Sequence, residues 1–159
     1  MVMGQAYRQQ CRMNAITLLP VNMYGPSDNF DPASSHVIPA IIRKMISARD
    51  DRRSHIEAWG TGTASREFLF VRDAAEGIAQ ATESYDEGDP INLGSGMEIT
   101  IKDLTELICD LCNHSGKIHW NTTKPDGQPR RLLEVRVFGD DRFSDGVERN
   151  DRVVRGGTE

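Results

Sequence analysis

Apolar positions along this chain fall into two repeating patterns, short continuous runs and helically spaced sets. Residues 1–12 are polar, with helix-forming Gln, Ala, Arg and Met and no breaker after Gly4, and predict a helix or its tail. No N-cap, proline or hydrophobic staple precedes it, so the chain is expected to open inside a helix and to be part of a longer one. Ala15–Leu19 is a continuous apolar and β-branched run bounded by Asn14 and Pro20, the pattern of a buried parallel strand. Residues 21–35 hold Pro, Gly, Asn, Asp and Ser and predict a long loop. Ile38, Ile41, Ile42, Met45 and Ile46 then repeat at helical spacing up to Asp50, with Pro39 tolerated in the first turn.

Further elements alternate. Ile56–Trp59 and Arg66–Val71 predict strands, separated by a glycine-rich turn. A helix follows over Arg72–Tyr85, with Asp73 as its cap, and a strand over Ile91–Leu93 leads into Gly94-Ser95-Gly96. Thr100 opens a helix reaching about Asn113, with Asp103 as its capping-box partner, and Lys117–Trp120 predicts a last short strand. Strands alternating with helices indicate an α/β protein. Only Ala15–Leu19 reads as buried on both faces, and the parallel neighbours such a strand needs are not evident elsewhere in the chain. Arg136–Glu159 has five Arg, six acids and four Gly without periodicity and is expected to be disordered.

Composition excludes several classes. Charged residues make up 27% and the net charge is -5, so the chain has no general attraction for nucleic acid. No run approaches the roughly 20 apolar residues of a membrane helix, and no apolar signal core opens the chain. Three cysteines give no disulfide framework, and a cytoplasmic location is the simplest expectation. Cys109 and Cys112 form C-x-x-C with His114 and His119 downstream, but they fall among Leu104, Leu107, Ile108 and Leu111 and read as small apolar residues of a buried helix; no metal is expected. Gly60-Thr61-Gly62 and Gly94-Ser95-Gly96 are isolated turns that lack the strand, three glycines and helix of a dinucleotide fingerprint.

Four segments in order carry a resemblance. They are Leu18-Leu19-Pro20-Val21-Asn22-Met23-Tyr24-Gly25-Pro26; Asp28-Asn29-Phe30 with Ser35-His36-Val37-Ile38-Pro39-Ala40; Trp59-Gly60-Thr61-Gly62 with Arg66-Glu67-Phe68; and Lys124-Pro125-Asp126-Gly127-Gln128-Pro129-Arg130-Arg131. Together they resemble the GDP-L-fucose synthases, extended short-chain dehydrogenase/reductases, over about Gln5–Val135. The resemblance implies the C-terminal part of a Rossmann-like fold whose N-terminal half is missing. Residues 1–25 would be the end of the catalytic helix and one strand of the dinucleotide-binding domain, 26–135 mainly the smaller substrate domain, and 136–159 a divergent tail. It implies C3 and C5 epimerisation of a GDP-4-keto-6-deoxy-D-mannose and reduction at C4 with NADPH, in a homodimer without nucleic-acid or membrane partners.

The resemblance also implies residue roles. His36 matches the general acid of epimerisation, near a helix N-terminus where the dipole disfavours an imidazolium cation; as a lone loop histidine it reads equally as a cap or a surface residue. Pro20, Val21, Asn22 and Met23, with His36, match positions bordering the cofactor, although without the resemblance that segment is an ordinary strand-to-helix connection. Lys44, Trp59, Arg66 and Arg131 match GDP-sugar contacts, a guanidinium suiting two phosphate oxygens at once. Taken singly, Lys44 reads as a solvated helix lysine, Trp59 as a half-buried strand aromatic and Arg66 as a surface arginine, and Arg130 is hard to separate from Arg131. The Ser and the Tyr-x-x-x-Lys pair that would protonate the C4 oxygen do not occur, and neither does the family's second epimerisation residue, a cysteine for which Cys11 is no match. Arg72 stands where the family has an acid, and the likeness ends after Val135. The chain is expected to be inactive alone. Competing readings are a fragment of another nucleotide-sugar epimerase or dehydratase and a non-catalytic module that binds GDP-sugars.

Overall fold

The computed structural model describes residues 2–126 and 130–131; the tail expected to be disordered lies outside them. The elements in chain order are α1 (Val2–Cys11), β1 (Leu18–Pro20), β2 (Asn22–Tyr24), α2 (Val37–Asp50), β3 (His55–Trp59) and β4 (Ser65–Phe70). They continue with α3 (Val71–Ser84), β5 (Ile91–Leu93), β6 (Glu98–Thr100), α4 (Ile101–Leu111), β7 (Lys117–Asn121) and β8 (Arg130–Arg131). The fold class is α/β, and the pairings β1–β5, β3–β7 and β4–β8 are all parallel.

The described chain forms two compact units. One contains residues up to Met23 together with Glu67–Met97; the other contains Tyr24–Arg66 and the stretch from Glu98 onward. The chain passes between them inside β2, inside β4 and again just before β6.

In the first unit β1 pairs with β5, Leu18 opposite Ile91 and Pro20 opposite Leu93. This corrects the expectation that a parallel neighbour is lacking. β5 is the strand the sequence predicts over Ile91–Leu93, but three residues give no pattern that marks it as the parallel neighbour of β1. β1 is also shifted toward Pro20 and half-buried where full burial was expected, because β5 is its one partner among the described residues. The predicted loop contains a strand, β2, which lies beside β4 and is fixed by Asn22 Nδ2 donating to the Glu67 carbonyl (3.0 Å). Gly77 lets α3 approach β5 closely, since a Cβ there would meet Leu93 Cδ1 at 2.6 Å. Asp73 is not the cap of α3: Phe70 occupies that position, because β4 runs into the helix without a turn. Asp73 sits in the first helical turn, where its charge still complements the dipole. α1 buries no residue.

The second unit is built on β3 and β7. Ile56 and Ala58 alternate inward from β3 between exposed His55, Glu57 and Trp59. Met45 and Ala48 of α2, both fully buried, and Leu104, Thr105 and Ile108 of α4 complete this core. α4 opens as the sequence predicts: Thr100 Oγ1 accepts the Asp103 amide (3.0 Å) and donates to the Asp103 carboxylate (2.7 Å). It ends at Leu111, two residues earlier than predicted, in a Schellman turn with Asn113 left-handed (φ 51°) and the His114 amide on the Cys109 carbonyl (3.1 Å). Cys109 is buried, as the apolar reading requires, whereas Cys112 is the half-buried C-cap. Leu107 and Leu111 face outward.

α2 ends in the same turn, with Arg52 at φ 51° and the Arg53 amide on the Ala48 carbonyl (2.8 Å). A left-handed conformation costs a residue bearing a Cβ about 1–2 kcal/mol, which glycine does not incur. Arg52→Gly should therefore raise stability by about 1 kcal/mol in equilibrium urea unfolding. Met45→Ala should lower it by about 2–5 kcal/mol, while Leu111→Ser, on a side chain 72% exposed, should change it by less than about 0.5 kcal/mol.

Candidate functional site

Of the residues singled out in the second unit, Lys44 and Trp59 meet at the carboxyl end of β3, whereas Arg66 and Arg131 lie side by side on β4 and β8. Trp59 is the last residue of β3, and its outward position follows from the alternation that buries Ile56 and Ala58. It is 60% exposed, where a half-buried aromatic was expected. The chain then turns sharply: Gly60 and Gly62 adopt φ +79° and +76°, which side chains with a Cβ rarely adopt. Both glycines are also sterically required. A Cβ on Gly60 would collide with the Asp126 carboxylate, and one on Gly62 would meet the Trp120 ring at 2.6 Å.

A second turn closes over the first. The Asn121 carbonyl, at the end of β7, accepts from the Gly60 amide (3.0 Å) and from the Lys124 amide (3.1 Å). The Asn121 side chain accepts from the Thr123 amide (3.1 Å) and hydroxyl (2.6 Å), fixing the turn locally. Asp126 completes a clasp: the Thr61 amide donates to Oδ1 and the Thr61 hydroxyl to Oδ2 (2.9 Å). The Thr61 amide and then its hydroxyl hold the Asp126 carboxyl below its ordinary range.

Two ammonium groups lie by the Trp59 ring. Lys44 Nζ is 5.3 Å and Lys124 Nζ 5.5 Å from its centroid, within cation–π reach. Lys44 also donates to the Glu57 carbonyl (3.0 Å), which is not the arrangement of a freely solvated helix lysine. Burial pushes its pKa down, an effect the nearby Glu57 charge opposes and Arg43 reinforces. Neither ammonium is ion-paired among the described residues.

Arg66 is the second residue of β4 and half-buried, with Nη1 donating to the Ser65 carbonyl (2.6 Å). β8 pairs with this end of β4 in parallel, Ser65 opposite Arg130 and Arg66 opposite Arg131. The register thus sets Arg131, not Arg130, beside Arg66. His36 is the N-cap residue of α2, exposed and extended (φ −70°, ψ 172°), and its side chain makes no capping bond, so the cap reading fails.

In the first unit, the Val21 amide donates to the Leu93 carbonyl (3.0 Å) and Asn22 is committed to Glu67. Pro20 is exposed and Met23 is 45% exposed. Glu67 is a residue that sequence reasoning passed over. It is fully buried, its Oε1 accepts from the Gly96 amide (2.7 Å), and its Oε2 has no hydrogen-bond partner among the described residues. It holds Gly94-Ser95-Gly96 against the Val21 segment, and a Cβ on Gly94 would meet Val21 Cγ1 at 3.1 Å. An acid in the middle of a strand was the available signal. Among the described residues no group of three metal-ligating side chains occurs. Burial raises the pKa of the Cys109 and Cys112 thiols, which keeps them protonated.

Comparison with known proteins adds the family. The chain is 44% identical over 132 residues to a probable GDP-L-fucose synthase 1 of Oryza sativa subsp. japonica, covering 83% of the chain and 40% of the relative. It thus spans about 40% of the length of this curated relative. Among solved structures it is similar to a GDP-L-fucose synthetase from Naegleria fowleri, with TM-score 0.76, 27% identity, and coverage of 82% of this chain and 42% of the other. It is also similar to a GDP-mannoheptose C4 reductase from Campylobacter jejuni with NADP bound, with TM-score 0.71, 26% identity, and coverage of 85% and 49%. The family model for NAD dependent epimerases and dehydratases matches residues 2–94, more than half of the sequence, and on that match, with β1, α3 and β5 in its expected α/β order, the chain belongs to the NAD dependent epimerase/dehydratase family.

Proposed function

We propose that this chain supplies the nucleotide-sugar-binding part of a GDP-L-fucose synthase, which makes GDP-L-fucose from GDP-4-keto-6-deoxy-D-mannose by C3 and C5 epimerisation and NADPH-dependent reduction at C4. The observation that carries this reading is the Lys44 ammonium beside the exposed Trp59 ring, an arrangement that suits a ligand with both negative charge and a flat ring. Arg66, with Arg131 beside it by strand register, supplies the guanidinium geometry for a diphosphate. The curated relatives support the GDP-L-fucose synthase reading over other nucleotide-sugar enzymes. In this reading the second unit serves the GDP-sugar and the first the dinucleotide, and the complete enzyme is a cytoplasmic homodimer.

His36 is the general acid of epimerisation. A proton alpha to a ketone must leave and return on the opposite face, which requires two groups flanking the sugar. An exposed imidazole at a helix start, free of any capping bond, is available to deliver one of those protons.

Pro20, Val21, Asn22 and Met23 fit the border of a nicotinamide ring. The Val21 amide and the Asn22 carboxamide are committed within the protein, which leaves the Pro20 ring and the Met23 side chain as exposed apolar surface. When bound, the cofactor supplies the hydride to C4. This chain's own residues bind the nucleotide, orient the sugar and handle one proton at carbon. The sequence contains no Tyr-x-x-x-Lys and no three-glycine fingerprint, so proton delivery to the C4 oxygen and most of the dinucleotide contacts require a segment this chain lacks.

Two outcomes follow. The purified chain should oxidise no NADPH in the presence of the keto-sugar nucleotide; oxidation that depends on the sugar nucleotide would overturn the assignment of the missing groups. When the chain is joined to an upstream dinucleotide-binding half, His36→Asn should slow exchange of the C3 and C5 hydrogens with deuterated solvent by about 10²–10⁴-fold. Binding of the GDP-sugar should persist. A merely structural histidine would instead lower stability and every step in proportion, and a normal exchange rate would remove His36 from the mechanism.

A further inference from the structure

Lys124 was assigned no role by its position in the sequence, yet its ammonium is 5.5 Å from the Trp59 ring centroid, nearly as close as that of Lys44 at 5.3 Å. Its placement is built. Lys124 follows a turn closed on the Asn121 carbonyl, and two residues later Asp126 is held by the amide and hydroxyl of Thr61. Gly60, which must lack a Cβ for Asp126 to sit there, directly follows Trp59. Two positive groups therefore converge on one exposed indole in a chain of net charge -5, with no acid paired to either among the described residues. Like charges so placed repel, and an anion at the same ring relieves that repulsion.

We infer that Lys124 is a second cationic contact for the diphosphate of a nucleoside diphosphate held at Trp59, opposite in origin to Lys44 and carried there by the Asp126–Thr61 clasp. This deepens the nucleotide-sugar reading and rests on it. Lys44 comes from α2 and Lys124 from the turn after β7, so the two lysines approach the ring from different parts of the second unit. An ammonium on a flexible stem can follow a phosphate oxygen, while Arg66 with its planar fork fixes orientation. Asp126 acts through Lys124 as a positioning residue.

The test is calorimetric titration of the 159-residue chain with GDP, and in parallel with guanosine, which lacks the phosphates. Lys124→Met keeps the stem and removes the charge. It should weaken GDP binding by about 10–100-fold, the size of a charge-assisted hydrogen bond, and leave guanosine binding unchanged. Lys124→Arg should restore most of the loss, and Arg49→Met, on a guanidinium already paired with Asp50, should have no effect. If Lys44→Met and Arg66→Met weaken GDP binding while Lys124→Met binds as the parent does, the inference fails and the nucleotide-sugar reading stands. If the parent chain binds no GDP, or none of the three variants weakens it, both fail together.

Discussion

The parallel pairing of β3 with β7 is the constraint on which the second unit rests. It brings His55–Trp59 alongside Lys117–Asn121, about sixty residues later, and every residue between must form a crossover that returns in register. Register decides burial here. With Ile56 opposite Ile118 and Ala58 opposite Trp120, one face of the pair joins the core with Met45 of α2 and Leu104 and Ile108 of α4. The same alternation sends Trp59 outward. A slip of one residue would bury Glu57 and Trp59 and expose Ile56 and Ala58. The candidate site is therefore a consequence of core packing: the exposed indole stands at the strand end because its neighbours cannot.

The clasp beyond the strand ends extends this constraint into the loops. Gly60 and Gly62 combine a left-handed backbone with close contact to Asp126 and Trp120, so two independent reasons exclude a side chain at each. Asp126 stays exposed while it accepts two hydrogen bonds from Thr61, and these hold its carboxyl pKa below the ordinary range. Being depressed, that pKa makes the contribution of the clasp complete above the ordinary carboxylate range. It is lost as pH falls through the lower folded-state value. Lys44 shifts for the opposite reason, since burial removes water from its charge faster than Glu57 compensates. The two groups show a site whose geometry is held by satisfied hydrogen bonds and whose cation is left short of partners.

Much of the local structure was legible in the sequence. The helical spacing from Ile38 to Ile46, the Thr100–Asp103 capping box and the alternation around Ile56 are signals contained within a few residues, and α2, α4 and β3 follow them. The strands β2 (Asn-Met-Tyr) and β6 (Glu-Ile-Thr) were not legible, because neither holds the two aliphatic residues that mark β5 and each is a strand only beside its neighbour β4. Site residues divide the same way. Of the candidates, His36, Trp59, Arg66 and Arg131 were visible through resemblance inside a recognisable segment, and Lys44 by its position in the helix that follows His36. Lys124 lay in such a segment too, but its relation to Trp59 depends on a contact across more than sixty residues. Glu67 showed only as an acid within a strand, and its buried hold on Gly96 required the fold.

The two units differ in what they can do to a ligand. In the second, the residues proposed for the ligand are cations and an aromatic ring, with His36 at a helix start, and Lys44 and Arg66 each donate to a backbone carbonyl. In the first, the polar groups near Val21 are already satisfied by Leu93 and Glu67, so that segment offers shape and apolar surface. In the proposed reading, binding by charge and bordering by shape are separable tasks, and this chain would carry both in part. Epimerisation needs proton transfer at both faces of the sugar, and reduction needs a proton donor at oxygen as well as a hydride at carbon. In the proposed reading, a chain that brings His36 as its one proton-transfer group and contains no Tyr-x-x-x-Lys can hold the nucleotide without completing either step. Affinity for the nucleotide and chemistry on the sugar would then reside in different stretches of the polypeptide, and only the first would be contained here.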